Sequence, residues 1–374
     1  MKFKVAKKTI STGLITVSRA ISANTPIPAL SGIKIDCAKN TLILTASNNS
    51  DISIQTIIEK NDEDFFEVYE EGSVVIEAKY ILEIVRKIDS DLIDFSIVDG
   101  SLTKISGDSA EFNINGVKAS DYPNIDFSKP LQNFKIDADT IRSVISQTTF
   151  ASSDEVSRPI FTGVNFSAKD GIMECIATDS FRLAKKTINI LAPYNFNITI
   201  PAKTLKEVEK IIDREGEVEI AVNEKKVQFY FGATLIQTRL IDGKFPDTSR
   251  LIPEEFFSNL IVDSRDILSA IDRASFIKNN DGIPIVKLTL APDEVIVSSK
   301  SQEVGSSVEK LVYEKYSGEP LTISFRGNYV YDAIRFLSTS QVSVEFTTDM
   351  KPFVIRDIED DSIIQLILPV RTYN

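Results

Sequence analysis

Residues 28–49 read PALSGIKIDCAKNTLILTASNN, and residues 159–180 read PIFTGVNFSAKDGIMECIATDS. Laid side by side, Pro28 and Gly32 fall on Pro159 and Gly163, and Ala46-Ser47-Asn48 falls on Ala177-Thr178-Asp179, all at an offset of 131. A weaker third version, PIVKLTLAPDEVIVSSKS, begins at Pro284; it has lost the glycine and one residue. The alternation in GIKID, TLILTA and GVNFSA predicts half-buried antiparallel strands closed by a small polar turn.

Two further landmarks repeat in the same order. IEAKYILEIVRKI (76–88), IPAKTLKEVEKII (200–212) and SFRGNYVYDAIRFL (324–337) each run from a strand into a helix, so that Ala78, Ala202 and Gly327 correspond. Asp121-Tyr122-Pro123 corresponds to Lys244-Phe245-Pro246. A period of roughly 125 residues is too long for a solenoid and fits one domain repeated three times. The expected domains are 1–126, 127–252 and 253–374. Each has an early amphipathic helix: Leu14, Val17 and Ile21 mark the first, Ile141, Val144 and Ile145 the second, Ile267, Leu268 and Ile271 the third. A second helix and about eight short strands per copy predict an α+β fold, with two helices packed on antiparallel sheets.

Composition narrows the chemistry. The 374 residues are 43% apolar and 26% charged, enough for ordinary folded cores. The absence of histidine removes a Ser-His-Asp triad, a histidine base and histidine metal ligands. Cys37 and Cys175 lie far apart in apolar runs, without CxxC or zinc spacing, and read as buried free thiols of a reducing compartment. The opening MKFKVAKKTISTGLITVSRAIS imitates a signal peptide, but polar residues and Arg19 interrupt its apolar run; it reads as a strand and then a helix. No run has the apolar length of a membrane span. There is neither GxxxxGK[ST] nor GxGxxG. The acidic clusters around Asp62 and Asp360 read as solvated loops.

The net charge of −12 argues against nucleic-acid binding only if it is evenly spread. It is not. The predicted helices 7–22, 78–89, 137–151, 201–214, 263–278 and 327–338 together carry +4, which leaves −16 on the strands and loops. Two readings stay open: a basic helical surface that faces phosphate, or solvated helix faces laced with local ion pairs. The Thr178-Asp179-Ser180 cluster has an equivalent Ala46-Ser47-Asn48 and a counterpart at Ser298-Ser299-Lys300, so it reads first as a strand-end turn. Only the second copy continues with Phe181-Arg182-Leu183, a mixture suited to recognition. The final strand, Gln365 to Leu368, ends at Pro369, leaving either a last core strand or the edge of a binding groove.

The three tandem copies, with ATDSFRLA at 177–184, DGKFPDTSRLIP at 242–253, MKPFVIRD at 350–357 and LILPVR at 366–371, resemble the bacterial sliding clamp family, the beta subunit of the replicative DNA polymerase III holoenzyme. The resemblance runs from MKF to the last strand and is strongest to clamps of low-GC Gram-positive bacteria. It implies three DNA-clamp domains per chain and a head-to-tail homodimeric ring around duplex DNA. The ring is a processivity factor in the cytoplasm at the nucleoid, neither an enzyme nor dependent on a cofactor or metal.

The partners implied are double-stranded DNA without sequence preference, a second copy of the chain, and the replicative polymerase, clamp loader and repair proteins through short peptide motifs; no membrane is implied. The implied peptide pocket takes Phe161, Thr178, Ser180, Phe181, Arg182 and Leu183 from the second domain. Pro246, Arg250 and Leu251 follow from the boundary segment. Tyr329, Phe353, Leu368, Pro369, Val370 and Arg371 come from the third domain. The DNA-facing set is Lys7, Lys8, Arg19, Asn24, Lys79, Arg86 and Lys87, continued by Arg142, Lys203, Lys206, Lys210 and Arg214. At the dimer interface, Tyr80, Ile84, Phe112 and Ile114 would meet Phe276 and Ile277 of a second chain. Three positions depart from the family: Phe181 stands where histidine is common, Asn24 replaces a basic residue, and Lys351 replaces arginine. Two rival functions are a magnesium-dependent phosphoryl-transfer enzyme built on Asp179 and a monomeric scaffold without DNA.

Overall fold

The computed structural model describes residues 1–22, 25–49, 51–60, 65–192, 194–279 and 281–371. Its helices are α1 (Lys7–Ser18), α2 (Ala78–Lys87), α3 (Ala138–Thr149), α4 (Ala202–Ile211), α5 (Ser264–Ser275) and α6 (Gly327–Leu337). All six follow a strand with no residue between. The predicted helices ran past these ends because buried positions continue beyond the last helical turn. Ala20 and Ile212 are both about as buried as the helix interiors they follow. In α1 the closing bonds run from Arg19 to Thr16 and from Ala20 to Val17, the tighter spacing of a fraying turn.

The described chain divides into two compact units, residues 1–139 with 207–240 and residues 140–206 with 241–374. The second copy is split between them because its strands belong to two different sheets. In the first unit a nine-stranded antiparallel sheet takes five strands from copy one and four from copy two. They meet where Ile52–Glu59 pairs with Thr234–Arg239, with Ile54 opposite Ile236. In the second unit another nine-stranded sheet takes four strands from copy two and five from copy three. There Arg182–Asn189 pairs with Ile363–Ile367, and Leu183 lies opposite Leu366. Each unit keeps one unfinished sheet. The five-stranded sheet ends on Glu111–Asn115 and the four-stranded sheet ends on Gly305–Leu311.

The repeated Pro-x-x-x-Gly signature is a local device. Pro28 and Pro159 open 3-10 turns at Pro28–Ser31 and Pro159–Thr162, and the glycine begins the next strand. A Cβ on Gly32 would lie 2.9 Å from the Ile76 carbonyl oxygen, and one on Gly163 would lie 2.6 Å from that of Ile200. Neighbouring backbone leaves no room for a side chain there. The third copy carries Ile285 at this position. Its small polar run also differs from expectation: Ser298, Ser299 and Lys300 lie inside the strand Glu294–Ser301, not in a turn.

Candidate partner groove and basic helix faces

The turn after the strand Ile172–Thr178 consumes its own polar groups. Thr178 Oγ1 donates to the Arg182 carbonyl at 2.6 Å and accepts the Ser180 N–H at 3.1 Å. Asp179 Oδ1 accepts the N–H groups of Phe181 and Arg182, each at 2.9 Å. Ser180 sits at φ 77°. These are the bonds of overlapping hydroxyl and carboxylate turns, which is why small polar residues are required. Arg182 is also structural. Its Nε meets Asp179 at 3.1 Å, a terminal nitrogen meets Asp332 of α6 at 2.8 Å, and the guanidinium lies over Tyr329 and Phe150. With 11% of its side chain exposed and two carboxylates bound, Arg182 ties the turn to α6.

Above this turn the chain gathers an apolar patch. Ile176, Leu183, Phe245, Val354 and Leu366 are buried together, with Phe161, Ile252 and Leu368 half-buried against them. Phe161 meets Phe245 edge to face, 6.2 Å between centroids. Leu183 is interior, so it supports the patch from beneath and Leu368 offers the reachable surface. Phe353 is interior as well. Alternation along Phe353–Asp357 turns Val354 toward this patch and Phe353 toward the third copy's core, where it packs against Phe325 and Phe346. Pro246, Arg250, Leu251, Phe181, Ser180 and Arg371 are exposed around the rim.

Of the two readings of the last strand the structure bears out the core strand, ending one residue earlier than predicted. Ile363–Ile367 is a central strand, and the residues after it leave the sheet as a half-exposed wall. The Leu368 N–H donates to the Phe181 carbonyl at 2.9 Å and the Val370 N–H donates to that of Ser324 at 2.7 Å. Those bonds bring in a residue that the sequence reading missed, Arg326. Its guanidinium lies 4.8 Å from the Phe181 ring and 5.2 Å from the Tyr329 ring, and donates to the Tyr329 hydroxyl at 2.9 Å. Tyr329 is buried; desolvation, with Asp179 adding to it, pushes its phenol above the usual value. Nothing in the sequence marked Arg326, because its ring partners are 145 residues away and next door but two.

The basic residues divide into paired and unpaired sets. Lys7 is half-buried, its ammonium on the carbonyls of Arg86 and Ile88 at the end of α2, where it complements the helix dipole. Arg19 and Lys210 share Glu207, at 3.2 and 2.7 Å. Arg86 and Lys87 share Glu83, and Lys79 pairs with Glu77. Arg142 is half-exposed. Among the described residues Lys8, Lys203, Lys206 and Arg214 are exposed without an ion pair. Asn24 and Asp62 lie outside the described residues. Asp360, read as a solvated loop residue, instead accepts from the buried Lys186 at 2.7 Å. At the two unfinished sheets, Phe276 is 81% and Tyr80 45% exposed, while Ile84, Phe112, Ile114 and Ile277 are half-buried. Cys37 and Cys175 are free, buried thiols.

Three family models match in series. They are the N-terminal, central and C-terminal domains of the DNA polymerase III beta subunit, at residues 1–126, 135–247 and 249–371. The chain belongs to the bacterial beta sliding clamp family. The beta sliding clamp of Bacillus subtilis strain 168 is 39% identical over 379 residues, and that of Staphylococcus aureus strain Mu50 is 36% identical over 377; each match covers all of both chains. The crystal structure of the Bacillus subtilis sliding clamp superposes with a TM-score of 0.95 at 37% identity over the whole of both chains. The beta chain from Streptococcus pneumoniae superposes equally well at 30% identity, over 99% of this chain and all of its own. Three tandem clamp domains and the role of a DNA sliding clamp in replication follow from membership, and neither rival function finds support. No described helix is long and apolar enough to cross a membrane.

Proposed function

We propose that the chain closes head to tail with a second copy into a ring around duplex DNA. The ring tethers the replicative polymerase, the clamp loader and repair proteins by short peptides, without chemistry of its own, in the cytoplasm at the nucleoid. The domains would be 1–126, 127–252 and 253–374. The observation that carries this reading is the pair of unfinished sheets. Both complete sheets join a four-strand half to a five-strand half. The spare halves have the same sizes and matching strand orders. An edge strand left open is a template for another chain. Joining Gly305–Leu311 of one copy to Glu111–Asn115 of another would build a third nine-stranded sheet. Carrying over the internal register, Ser307 would face Phe112 and Ser306 would face Asn113 of the second copy. Phe276 and Tyr80 would be covered in the process. The contact uses two different faces, so it must close to avoid a filament, and two copies close it.

The unpaired Lys8, Lys203, Lys206 and Arg214, with the locally paired basic groups, support weak phosphate contact of a kind that permits sliding. The apolar patch with its arginine-set wall supports peptide docking of aliphatic or aromatic anchors. Tethering makes polymerase rebinding intramolecular, which is where processivity comes from. The deciding experiment loads labelled protein onto nicked circular DNA with its loader and ATP, then cuts the circle once in moderately high salt. Retention on circles and loss on linear DNA is expected. Equal retention on both forms would replace topological linkage with ordinary binding.

A further inference from the structure

The residue directly after the first helix of each copy holds an equivalent place three times. Arg19 follows α1, Phe150 follows α3 and Phe276 follows α5, and each of these helices has 12 residues. Arg19 and Phe276 also share a helical backbone, with φ −63° and −62°. The first two reach one stripe on the second helix of the following copy. Arg19 bonds to Glu207, the sixth residue of α4, at 3.2 Å. Phe150 stacks on Phe336, the tenth residue of α6, with 4.8 Å between centroids. Sixth and tenth positions are four residues apart, so they lie on one face of a helix.

Phe276 belongs to the third copy and is 81% exposed. In the proposed ring the next second helix is α2 of the other chain. Its sixth and tenth residues are Glu83 and Lys87. The chemistry selects between them. Glu83 is held by Arg86 at 2.5 Å, whereas Lys87 reaches it only at 3.9 Å and keeps 64% of its side chain exposed. The negative face of a phenyl ring repels a carboxylate and attracts an ammonium. The junction of copies two and three already holds such a contact, with the Arg182 guanidinium 5.4 Å from the Phe150 ring.

We infer that Lys87 is a ring-closing residue, its ammonium seated on the face of Phe276 from the second copy. This rests on the head-to-tail reading of the ring, and it moves Lys87 from the DNA-facing set to the contact between chains. The three junctions then differ at one shared place: an ion pair, a ring pair, and a ring with a cation. That difference makes closure selective. The tenth residues of α4 and α6 are Ile211 and Phe336, so only α2 offers Phe276 a cation there, and Arg19 in the place of Phe276 would meet Lys87 as a like charge.

The test follows subunit exchange between donor- and acceptor-labelled full chains by energy transfer. Lys87→Met keeps the stem and removes the charge, and is expected to speed exchange about fivefold, the scale of one partly desolvated ring–cation contact. Phe276→Leu should speed it as well, and adding Lys87→Met to Phe276→Leu should then change little. Phe276→Arg alone should open the ring, and Phe276→Arg with Lys87→Glu should restore slow exchange by rebuilding the ion pair of the first junction. Both side chains are exposed in the single chain, and unaltered circular dichroism shows that the variants fold. Asp272 lies one turn earlier on α5 and is exposed, so it is the rival partner for Lys87. If the effect of Lys87→Met vanishes in an Asp272→Asn chain and persists in Phe276→Leu, the cation pairs with a carboxylate and the ring assignment is wrong. If Lys87→Met leaves exchange unchanged, or acts equally with and without Phe276, the inference fails and the ring stands. If the parent chains give no energy transfer at any concentration, the head-to-tail reading fails and takes this inference with it.

Discussion

Single residues carry the turn at 178–182. Ser180 holds a left-handed backbone that costs an L-residue about 1–2 kcal/mol, partly returned on glycine substitution by the entropy of the unfolded chain. Ser180→Gly should therefore be neutral or stabilising by up to about 1 kcal/mol, and Ser180→Val destabilising by about 1–2 kcal/mol. Urea titrations of the two variants against the parent give the sign directly. The Lys186–Asp360 pair makes a second residue-level expectation. Burial pushes the Asp360 carboxyl up, but bonds from Lys186 and Ser362 outweigh it and hold its pKa below the usual value. A depressed folded pKa stabilises the fold above the unfolded value, about pH 4, and that contribution disappears as pH falls through the folded value. Asp360→Asn should cost about 1–2 kcal/mol at neutral pH, discounted for an aspartate 39% exposed, with the difference from the parent shrinking on acidification. A constant difference from pH 7 to pH 3 would remove the pair from the account. The turn was legible in the sequence because Thr178, Asp179 and Ser180 bond to neighbours within four residues. Arg326 and the ion pair of Asp360 were not, since Phe181 and Lys186 come from a different copy of the repeat.

At the scale of elements, six helices and the three-fold order could be read because apolar periodicity and small residues at strand-to-helix junctions are local signals. Ala78, Ala138, Ala202, Ser264 and Gly327 open helices where side chains pack closely, and in α6 the Ser275 side chain lies directly against Gly327. Which strands would share a sheet was not legible. Strand pairing across copies depends on contacts nearly 180 residues apart, as between Thr56 and Thr234, whose hydroxyls meet at 3.0 Å. Those pairings are what expose the open edges, and they set the register of the proposed contact. A chain carrying both Ser306→Cys and Asn113→Cys should oxidise to a covalent dimer, because directly opposed strand residues fall within disulfide reach. Moving one cysteine to Val308 should slow the reaction sharply. Cys37 and Cys175 are buried and do not compete. Non-reducing gels read the outcome; equal crosslinking from both positions would mean that the edges do not pair in this register.

For the whole molecule, the groove and the open edges are separable. Every residue brought together at 161, 178–183, 245–252, 329 and 366–371 lies in one compact unit of one chain. The proposed ring contact uses edges of two other sheets, Glu111–Asn115 in the other unit and Gly305–Leu311 in a four-stranded sheet that shares no strand with the groove. An Ile114→Asp chain places a charge where the second copy's strand would cover it, and removing a carboxylate from water without a partner costs several kcal/mol. Ile114 is only half-buried in the single chain, so folding should survive the change. Light scattering is expected to give a mass near 41.6 kDa for this variant, against twice that for the parent. Retention on circular DNA should be lost, because an open arc has no topological hold, while affinity for an anchor peptide should stay within about twofold. A variant that remained dimeric would move the interface away from Glu111–Asn115. One that lost peptide binding together with dimerisation would show that the groove needs the ring, and the single-chain site would have to be abandoned.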